Sequence, residues 1–363
     1  MAIKILGDIV NVISEHITNP STSGYNIFVG LEHYDSGEPV ITRFGSTEQL
    51  ESSVKHFKTG DILVARRNVY LKRAGVVNFE GVTSGDSIVL RIKEEQYKDI
   101  IPFILNTEDF WDYAEQNSDG TMSKRLAPDV LLEYECNIPD NHQQVAEKLW
   151  AAYKLKEAYK KMISTTDEMV KSQFIEMFGQ VSEESPCLND IAQVYDGTHK
   201  TPTYTESGIP FISVENISDV YGSKKYISKD DYDLYKHKPE YGDIFMTRIG
   251  SIGKCAVYES HDPLAYYVSL ALIKPNKDIV HPKFLKYYIE STDGALELKK
   301  RSLLKAFPMK INLGEIGKIK VIVPAKDKQL EFVKVAEQAD KSKFELRKSI
   351  ESIDAVIKSL INS

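Results

Sequence analysis

The chain has 363 residues, of which 42% are hydrophobic and 27% charged, and its formal net charge is −7. This composition is typical of a globular protein long enough for two domains, and it excludes a disordered chain and a membrane protein. The acidic balance gives no support to nucleic-acid binding. It does not exclude such binding either, because the clustering of the basic residues decides it.

Cysteine usage and the N-terminus indicate the compartment. Cys136, Cys187 and Cys255 lie far apart and form no CxxC pair, which argues against a structural zinc site or a disulfide framework and fits a reducing cytosol. The opening "MAIKILGDIV" is a poor signal peptide, because its short apolar run meets Asp8. No stretch approaches the length of a membrane span. We therefore expect a cytoplasmic protein.

The sequence contains an internal repeat that begins near its first residues. "LGDIVNV" at Leu6 and "LNDIAQV" at Leu188 match at an offset of 182, and "GDILVARR" at Gly60 and "GDIFMTRI" at Gly242 match at the same offset. Further matches in the same order are Ser87 with Ser269, "NIFVGLEH" at Asn26 with "IPFISVEN" at Ile209, and Pro139 and Gln144 with Pro324 and Gln329. We interpret the chain as two tandem copies of one unit.

Each copy begins with mixed structure and ends with a helix. Short β-patterned runs such as "DILVA" and "DIFMT" alternate with helical segments such as "KFLKYYIE". This pattern predicts two tandem α+β domains, at residues 1–140 and 180–324. Long stretches without Gly or Pro follow each of them, and these predict helices at residues 141–179 and 325–363.

The two helices carry apolar stripes. Each stretch is long enough for about 38 helical residues, or roughly 57 Å. In the second stretch a seam recurs at spacings of 4, 3, 4 and 3, whereas in the first the stripe is less regular and is interrupted by Lys156 and Thr166. We expect an antiparallel coiled coil with pseudo-twofold symmetry; ordinary packing inside each domain is the alternative. The seam residues are Leu346, Ile350, Ile353, Ile357 and Leu360, facing Leu149, Tyr159 and Ile163.

The stretch "GDIFMTRIGSIGKCAVYES" at Gly242 has a glycine-rich centre. It is not a phosphate-binding P-loop, because only two residues separate Gly250 from Gly253 and Cys255 stands where a hydroxyl is needed. We predict a hairpin turn between the strands "DIFMTR" and "KCAVYE", with Arg248 and Lys254 at its tip. In the first copy "RRNVYLKRAGVVN" lacks the glycine pair, which leaves the geometry of that tip open.

No catalytic constellation accompanies these elements. The sequence has no Asn/Asp-Pro-Pro-Tyr/Phe motif for adenine methylation and no GxGxxG loop. Neither Pro-Asp pair is followed at nuclease spacing by Glu/Asp-x-Lys. His199 has no metal-ligand partners at a familiar spacing, so we expect it to form hydrogen bonds in a loop.

Two similar but non-identical domains suit a target with two similar sites, and duplex DNA is the commonest such target. The chain resembles the specificity subunits of type I restriction-modification systems over essentially its whole length, more strongly in its second half. The resemblance rests on "GDIFMTRIGSIGKCAVY", "DGTHKTPTYTESGIPFISVENI" at Asp196, "INLGEIGKIKVIVPAKDKQ" at Ile311 and "MVKSQFIEMFG" at Met169.

The resemblance implies two target-recognition domains, each reading one half of a split double-stranded DNA sequence. The helices would set the unread spacer and dock two adenine-methyltransferase subunits, and motor-nuclease subunits could join. The subunit would have no catalytic residues and no cofactor, since S-adenosylmethionine and ATP would bind the partner subunits. The alternatives are a recognition subunit of another phage-defence or DNA-modification assembly, and a stand-alone enzyme.

A DNA reader needs basic side chains for phosphates and polar side chains for base edges. Arg66 and Arg248 occupy equivalent positions, although a repeated arginine could instead be salt-bridged to the repeated Asp61 or Asp243. Candidates in the second domain are Thr198, His199, Lys200, Thr201, Tyr204 (for sugar or base), Arg248, Ser251, Lys254 and the basic run Lys299, Lys300, Arg301 and Lys305. Candidates in the first domain are Arg66, Arg67, Lys72 and Arg73.

Overall fold

A computed structural model describes residues 2–120, 124–303 and 306–362. The chain divides into two compact units, Met1–Lys160 with Arg347–Ser363, and Lys161–Leu346. Among the described residues, no helix combines the length and the apolar character needed to cross a membrane.

The first unit is a mixed α+β structure. Its strands are β1 Ala2–Ile5, β2 Val10–Ile13, β3 His16–Ile17, β4 Ile27–Val29, β5 Val40–Ile41, β6 Gly45–Ser46, β7 Val54–Phe57, β8 Ile62–Ala65, β9 Ala74–Val77, β10 Gly81–Thr83, β11 Ser87–Ile92 and β12 Glu135–Ile138. Its helices are α1 Leu6–Ile9, α2 Ile101–Ile104, α3 Glu108–Gln116, α4 Pro128–Leu132 and the beginning of α5 His142–Phe178. The strands form sheets in the orders β2-β11-β8-β9-β5, β3-β7-β10-β4-β6 and β1-β12.

The second unit repeats this plan with fewer strands. Its strands are β13 Ala192–Asp196, β14 Ile209–Ile212, β15 Tyr226–Ile227, β16 Ile244–Thr247, β17 Cys255–Val257, β18 Ala265–Tyr266 and β19 Leu270–Pro275. Its helices are α6 Leu188–Ile191, α7 Lys229–Asp233, α8 Pro282–Glu290, α9 Thr292–Arg301, α10 Leu313–Ile316 and the beginning of α11 Lys326–Ile361. The sheet orders are β13-β19-β16-β17 and β15-β14-β18.

The main sheets of the two units are equivalent. The order β2-β11-β8-β9 corresponds to β13-β19-β16-β17, with antiparallel neighbours throughout. Each sheet also holds one buried carboxylate against a cation on a neighbouring strand, Asp61 with Arg91 and Asp243 with Lys274, both at 2.7 Å. The predicted fold class, two tandem α+β domains each followed by a long helix, is confirmed.

The central strands are buried on both faces. In β8, Ile62 and Val64 join the core formed with the helices, while Leu63 and Ala65 face the second sheet. This alternation follows from the two-residue period of a strand. A continuous apolar run such as "ILVA" therefore fits a sheet covered on both sides, and it holds the connecting loops at a fixed edge.

The long helices begin inside the domain cores. Leu149 on α5 is fully buried in the first core, and Phe332 on α11 is buried in the second. The packing alternative considered from the sequence therefore holds for these first turns. The other predicted seam residues, Tyr159, Ile163, Leu346, Ile350, Ile353, Ile357 and Leu360, are half-buried, and Ile357 and Leu360 pack against the first core.

Ion pairs join the helices within each unit. In the first unit Lys156 lies 2.7 Å from Asp354, and in the second unit Lys343 lies 2.7 Å from Asp167. Lys156 interrupts the apolar stripe because it is a buried ion-pair partner, which also contacts Glu38 at 2.9 Å.

Candidate nucleic-acid interface

Two equivalent loops connect the central hairpins. The first loop, residues 66–73, joins β8 to β9, and the second loop, residues 248–254, joins β16 to β17. The predicted hairpin is present in the second unit, but seven residues connect its strands rather than a tight turn. The extra length arises because Gly250 and Gly253 bend the backbone separately, with φ values of 79° and 90°.

The first loop bends at the corresponding positions without glycine. Strand pairing places Ala74 opposite Val64 in the first copy and Cys255 opposite Met246 in the second, so Asn68 corresponds to Gly250 and Lys72 to Gly253. Asn68 and Lys72 adopt φ values of 54° and 49°, in the left-handed region. Non-glycine residues rarely adopt this region, and such strain concentrates at functional sites. The backbone bend is therefore common to both copies.

Thr247 closes the second loop. Its carbonyl accepts a hydrogen bond from Gly253 N at 2.9 Å, and its hydroxyl accepts one from Lys254 N at 3.0 Å and donates to the Ser251 carbonyl. These bonds leave the side chains of Ser251 and Lys254 exposed. Both are accessible to a ligand.

Arg248 is engaged inside the second unit. Its guanidinium forms an ion pair with Asp196, its Nε donates to the Ile311 carbonyl at 3.3 Å, and the side chain is 12% exposed. The repeated Asp243 is not its partner, because that carboxylate binds Lys274. The Arg248 charge is therefore already balanced by a carboxylate of its own domain.

The loop after β13 lines a cleft. Thr198, His199 and Lys200 border a cavity of about 530 Å³, together with Tyr195 and His237, whose rings stack at 3.6 Å. His199 Nε2 lies 3.0 Å from an Asp196 carboxylate oxygen, which gives it the expected loop hydrogen bond.

Two other candidates of this loop do not line the cleft. Thr201 is exposed beside it, and Tyr204, 45% exposed, packs edge-on against Phe211 at 5.7 Å. Across residues 2–120, 124–303 and 306–362, no three His, Cys, Asp or Glu side chains are placed to hold a metal ion.

The basic run at the end of α9 is partly neutralised. Lys300 lies 2.7 Å and Arg301 3.8 Å from Glu297, whose side chain is buried. Burial alone would raise the pKa of Glu297, but hydrogen bonds from Lys300 and from the Lys320 backbone hold it below its usual value. Lys299 is exposed, and Lys305 lies outside the described residues.

In the first unit, five basic residues are linked to Arg67 or to the Asp86–Ser87 segment. Arg67 and Arg125 lie 3.5 Å and 2.9 Å from Asp86. Arg73 donates to the Arg67 carbonyl at 3.1 Å, and the Arg66 backbone donates to the Asp86 carbonyl at 2.9 Å. Lys55 donates to the Ser87 carbonyl at 2.8 Å. We call Lys55, Arg66, Arg67, Arg73, Arg125 and Asp86 the Asp86 cluster.

The Asp86 cluster has excess positive charge. Burial lowers the pKa of Lys55, and the nearby Arg66 charge lowers it further. Burial also lowers the pKa of Arg73. Within the described residues, Arg66 Nε and Arg73 Nε are buried and have no hydrogen-bond acceptor. Five grouped basic residues, of which Arg67 and Arg125 pair with Asp86, would be stabilised by an added anion.

Lys55, Asp86 and Arg125 were missed in the sequence. They come from three distant segments, and Arg125 reaches the cluster through an isolated bridge with Arg67. No local pattern signals such a contact. Lys72, which was predicted, instead pairs with Glu108 and lies outside the cluster.

Residues 183–353 match the family described as the type I restriction modification DNA specificity domain. The match lies in the second half of the chain. A protein assigned as the type I restriction enzyme MjaX specificity subunit of Methanocaldococcus jannaschii is 27% identical over 192 residues, which cover 48% of this chain. The chain spans 43% of the length of that relative.

Solved structures share the fold of the whole chain. The type I restriction-modification system S subunit from M. genitalium has a TM-score of 0.57 at 14% identity and covers 99% of this chain and 94% of its own. A structure describing complex assembly and conformational transition of the type I restriction-modification system has a TM-score of 0.56 at 16% identity and covers 99% and 96%. The resemblance predicted from the sequence is confirmed.

The specificity domain contains the second loop, the cleft beside His199 and the end of α9. The Asp86 cluster lies outside the matched residues, in the copy that repeats the same sheet. The candidate interface therefore has two parts, one in each unit.

Proposed function

We propose that this chain is the DNA sequence-recognition subunit of a type I restriction-modification complex, without catalytic residues of its own. The observation that carries the proposal is the Asp86 cluster, where five basic residues are grouped and two of them, Arg67 and Arg125, form ion pairs with the carboxylate. A run of DNA phosphates is the anion that suits such a surface, because guanidinium groups bind phosphate oxygens in a bidentate manner. The specificity-domain family and the shared fold support the same assignment.

The proposed target is a two-part DNA sequence. Both copies use the same hairpin and the same left-handed loop positions, but their exposed side chains differ. Two domains with the same hairpin backbone but different exposed side chains are suited to two half-sites of different sequence. The first domain, residues 1–140, would read one half, and the second, residues 180–324, would read the other.

The proposed partners are two adenine-methyltransferase subunits, with motor-nuclease subunits joining for restriction. The helices predicted at residues 141–179 and 325–363 would fix the unread spacer and dock these subunits. Half-buried apolar residues such as Ile163 and Ile353 leave part of the helix surface for such contacts. S-adenosylmethionine and ATP would bind the partners, and the complex would act in the cytosol.

The Asp86 cluster can be tested directly with the full-length chain and a pool of random-sequence duplex DNA. Arg66→Ala and Arg73→Ala should each lower the affinity about tenfold and reduce the slope of log affinity against log salt by about one between about 50 and 200 mM salt. Asp86→Asn should raise the affinity, because it removes the opposing carboxylate. The matched control is Lys98→Ala, which removes an exposed cation paired to Glu95.

Unchanged affinity and slope in both arginine variants would show that the cluster is not a phosphate site. In the host, deletion of the gene should abolish N6-methyladenine at a two-part motif. An identical methylation map with and without the gene would contradict the proposed function. Purification with an enzyme other than an adenine methyltransferase would indicate a different modification or defence assembly.

A further inference from the structure

One fully exposed aromatic side chain lies beside the second loop. Phe307 has its whole side chain in solvent, and Met309 two residues later is 43% exposed. Large aromatic side chains rarely remain uncovered, because burial of their area is a main source of stability. This tip, residues 306–311, lies within the residues of the specificity domain.

The tip is fixed to the second loop by its backbone. Gly250 N donates to the Met309 carbonyl at 2.8 Å, and Ile311 N donates to the Arg248 carbonyl at 3.0 Å. Ile249 and Lys310 form an antiparallel bridge. Phe307 is therefore held next to the residues predicted to meet DNA.

Cations without carboxylate partners lie on the tip, on the second loop and at the end of α9. Lys254, Lys299 and Lys310 are exposed, and in the described residues no carboxylate lies within 4.0 Å of their ammonium groups. The end of α9 lies close to the loop, since a Cβ at Gly253 would be 2.6 Å from Leu298 Cδ1. The surroundings of Phe307 therefore favour an anionic partner.

We propose that Phe307 is a wedge that enters between adjacent base pairs at the half-site of the second domain, while Lys254, Lys299 and Lys310 bind the flanking phosphates. The proposal rests on the function proposed above. Single apolar side chains that part a base step and kink the duplex are a recurrent way of binding DNA. The cost of unstacking is offset by contact of the ring with the exposed base faces.

A protein partner fits this tip less well. One phenylalanine and part of one methionine supply only a small fraction of the roughly 1,000 Å² that a specific protein interface buries. Lysine is also depleted from the centres of such interfaces. One base step, by contrast, needs only one ring.

The wedge gives the second domain a way of reading sequence without hydrogen bonds to bases. Pyrimidine–purine steps unstack more readily than others, so a wedge favours them. We therefore expect such a step in the second half-site. Its position would be set by the distance between Phe307 and the side chains that contact base edges.

The test uses the complex purified from the host through a tag on this chain, and duplexes that the wild-type complex selects from a random pool. 2-Aminopurine, which fluoresces when unstacked, replaces each adenine in turn. Binding of the wild-type complex should raise the fluorescence of 2-aminopurine at one base step. Phe307→Ala should abolish that rise and weaken binding by about tenfold to a hundredfold. Phe307→Trp should retain both, and Ile3→Ala, which truncates an exposed apolar residue of the first unit, should change neither.

The outcomes separate the wedge from the function on which it rests. If wild type selects DNA but produces no fluorescence change, and Phe307→Ala binds equally well, the wedge is wrong and DNA recognition stands. If Phe307→Ala impairs only retention of the methyltransferase, the tip is a protein contact and the wedge is again wrong. If the wild-type complex selects no DNA sequence, the proposed function itself fails.

Discussion

The two hairpin loops bend at equivalent left-handed positions, but their arginines have different partners. Arg248 in the second loop is paired with Asp196, at the end of β13. Strand pairing puts Ser14 at the corresponding place in the first copy, so Arg66 has no such carboxylate. The first loop therefore contributes cations to the Asp86 cluster, whereas the second exposes Ser251 and Lys254 and keeps its arginine internal.

This difference shows which parts of a duplicated domain are constrained. The hairpin and its two left-handed positions are retained even where Asn68 and Lys72 must adopt strained backbone angles. The charge pattern is not retained. Two domains that read different half-sites need this combination, because the loop must reach the groove in both while the side chains must differ.

The largest effect is expected from removing the carboxylate of the second loop. Asp196→Ser, which installs the residue of the first copy, leaves the nearly buried Arg248 unpaired. It should lower the free energy of unfolding of the second unit by about 3 kcal/mol. Hydrogen exchange of β16 amides measures this loss. Both tryptophans, Trp111 and Trp150, lie in the first unit, so the urea midpoint from tryptophan fluorescence should not move.

The matched control is Arg66→Met in the first loop, which has no carboxylate to strand and should change stability by less than about 1 kcal/mol. Equal losses of unfolding free energy from Asp196→Ser and Arg66→Met would mean that Arg248 and Arg66 lie in equivalent environments. That result would contradict the difference in their ion pairing.

Exchanging the residue types at the left-handed positions should have effects of opposite sign. Gly253→Ala forces a side chain to φ 90° and against Leu298, so the second unit should lose about 2 kcal/mol. Lys72→Gly relieves the same strain in the first unit, and should be neutral or stabilising by up to about 1 kcal/mol after loss of the exposed Glu108 pair. The exchange and fluorescence measurements above report each unit separately. A destabilised Lys72→Gly variant would show that the first loop is held by its side chain.

The smallest expected effect concerns the stability of the first unit in acid. Burial would raise the pKa of Glu38, but hydrogen bonds and charge from Lys160 and Lys156 outweigh it and hold the pKa below its usual value. Stabilisation by Glu38 is therefore complete above the unfolded pKa of about 4.3 and is lost as the pH falls through the folded pKa. The tryptophan-reported stability of the first unit should drop in acid, by about 1 kcal/mol from this group.

Glu38→Gln should remove that part of the acid dependence. In the second unit, Lys343 pairs with Asp340 of its own helix rather than with a carboxylate of the domain. The pKa of Asp340 is also lowered, because its hydrogen bonds with Lys343 and Tyr287 outweigh the effect of burial. Glu38→Gln should therefore leave the acid response of the second unit unchanged. If Glu38→Gln kept the wild-type dependence of stability on pH, Glu38 would not contribute to the acid response of the first unit.

Local patterns predicted most of the fold and part of the site. The repeat, the central hairpins and the long helices were visible because each depends on periodicity, on Gly and Pro placement or on a repeated motif. The Arg248–Asp196 pair and the meeting of Arg125 with Arg67 were not visible. Each joins residues more than 50 positions apart through the pairing of strands. One sequence without structure contains no signal for such contacts.

The residues that complete the first unit have a consequence for synthesis. This unit includes Arg347–Ser363, and Ile357, Leu360 and Ile361 pack against its core. On the ribosome, residues 1–160 therefore emerge first, but they cannot acquire their full packing until the whole second unit has been translated. The unit that is synthesised first is therefore the last to complete its packing. A nascent chain that stops near residue 346 would leave exposed the apolar surface that Ile357, Leu360 and Ile361 cover.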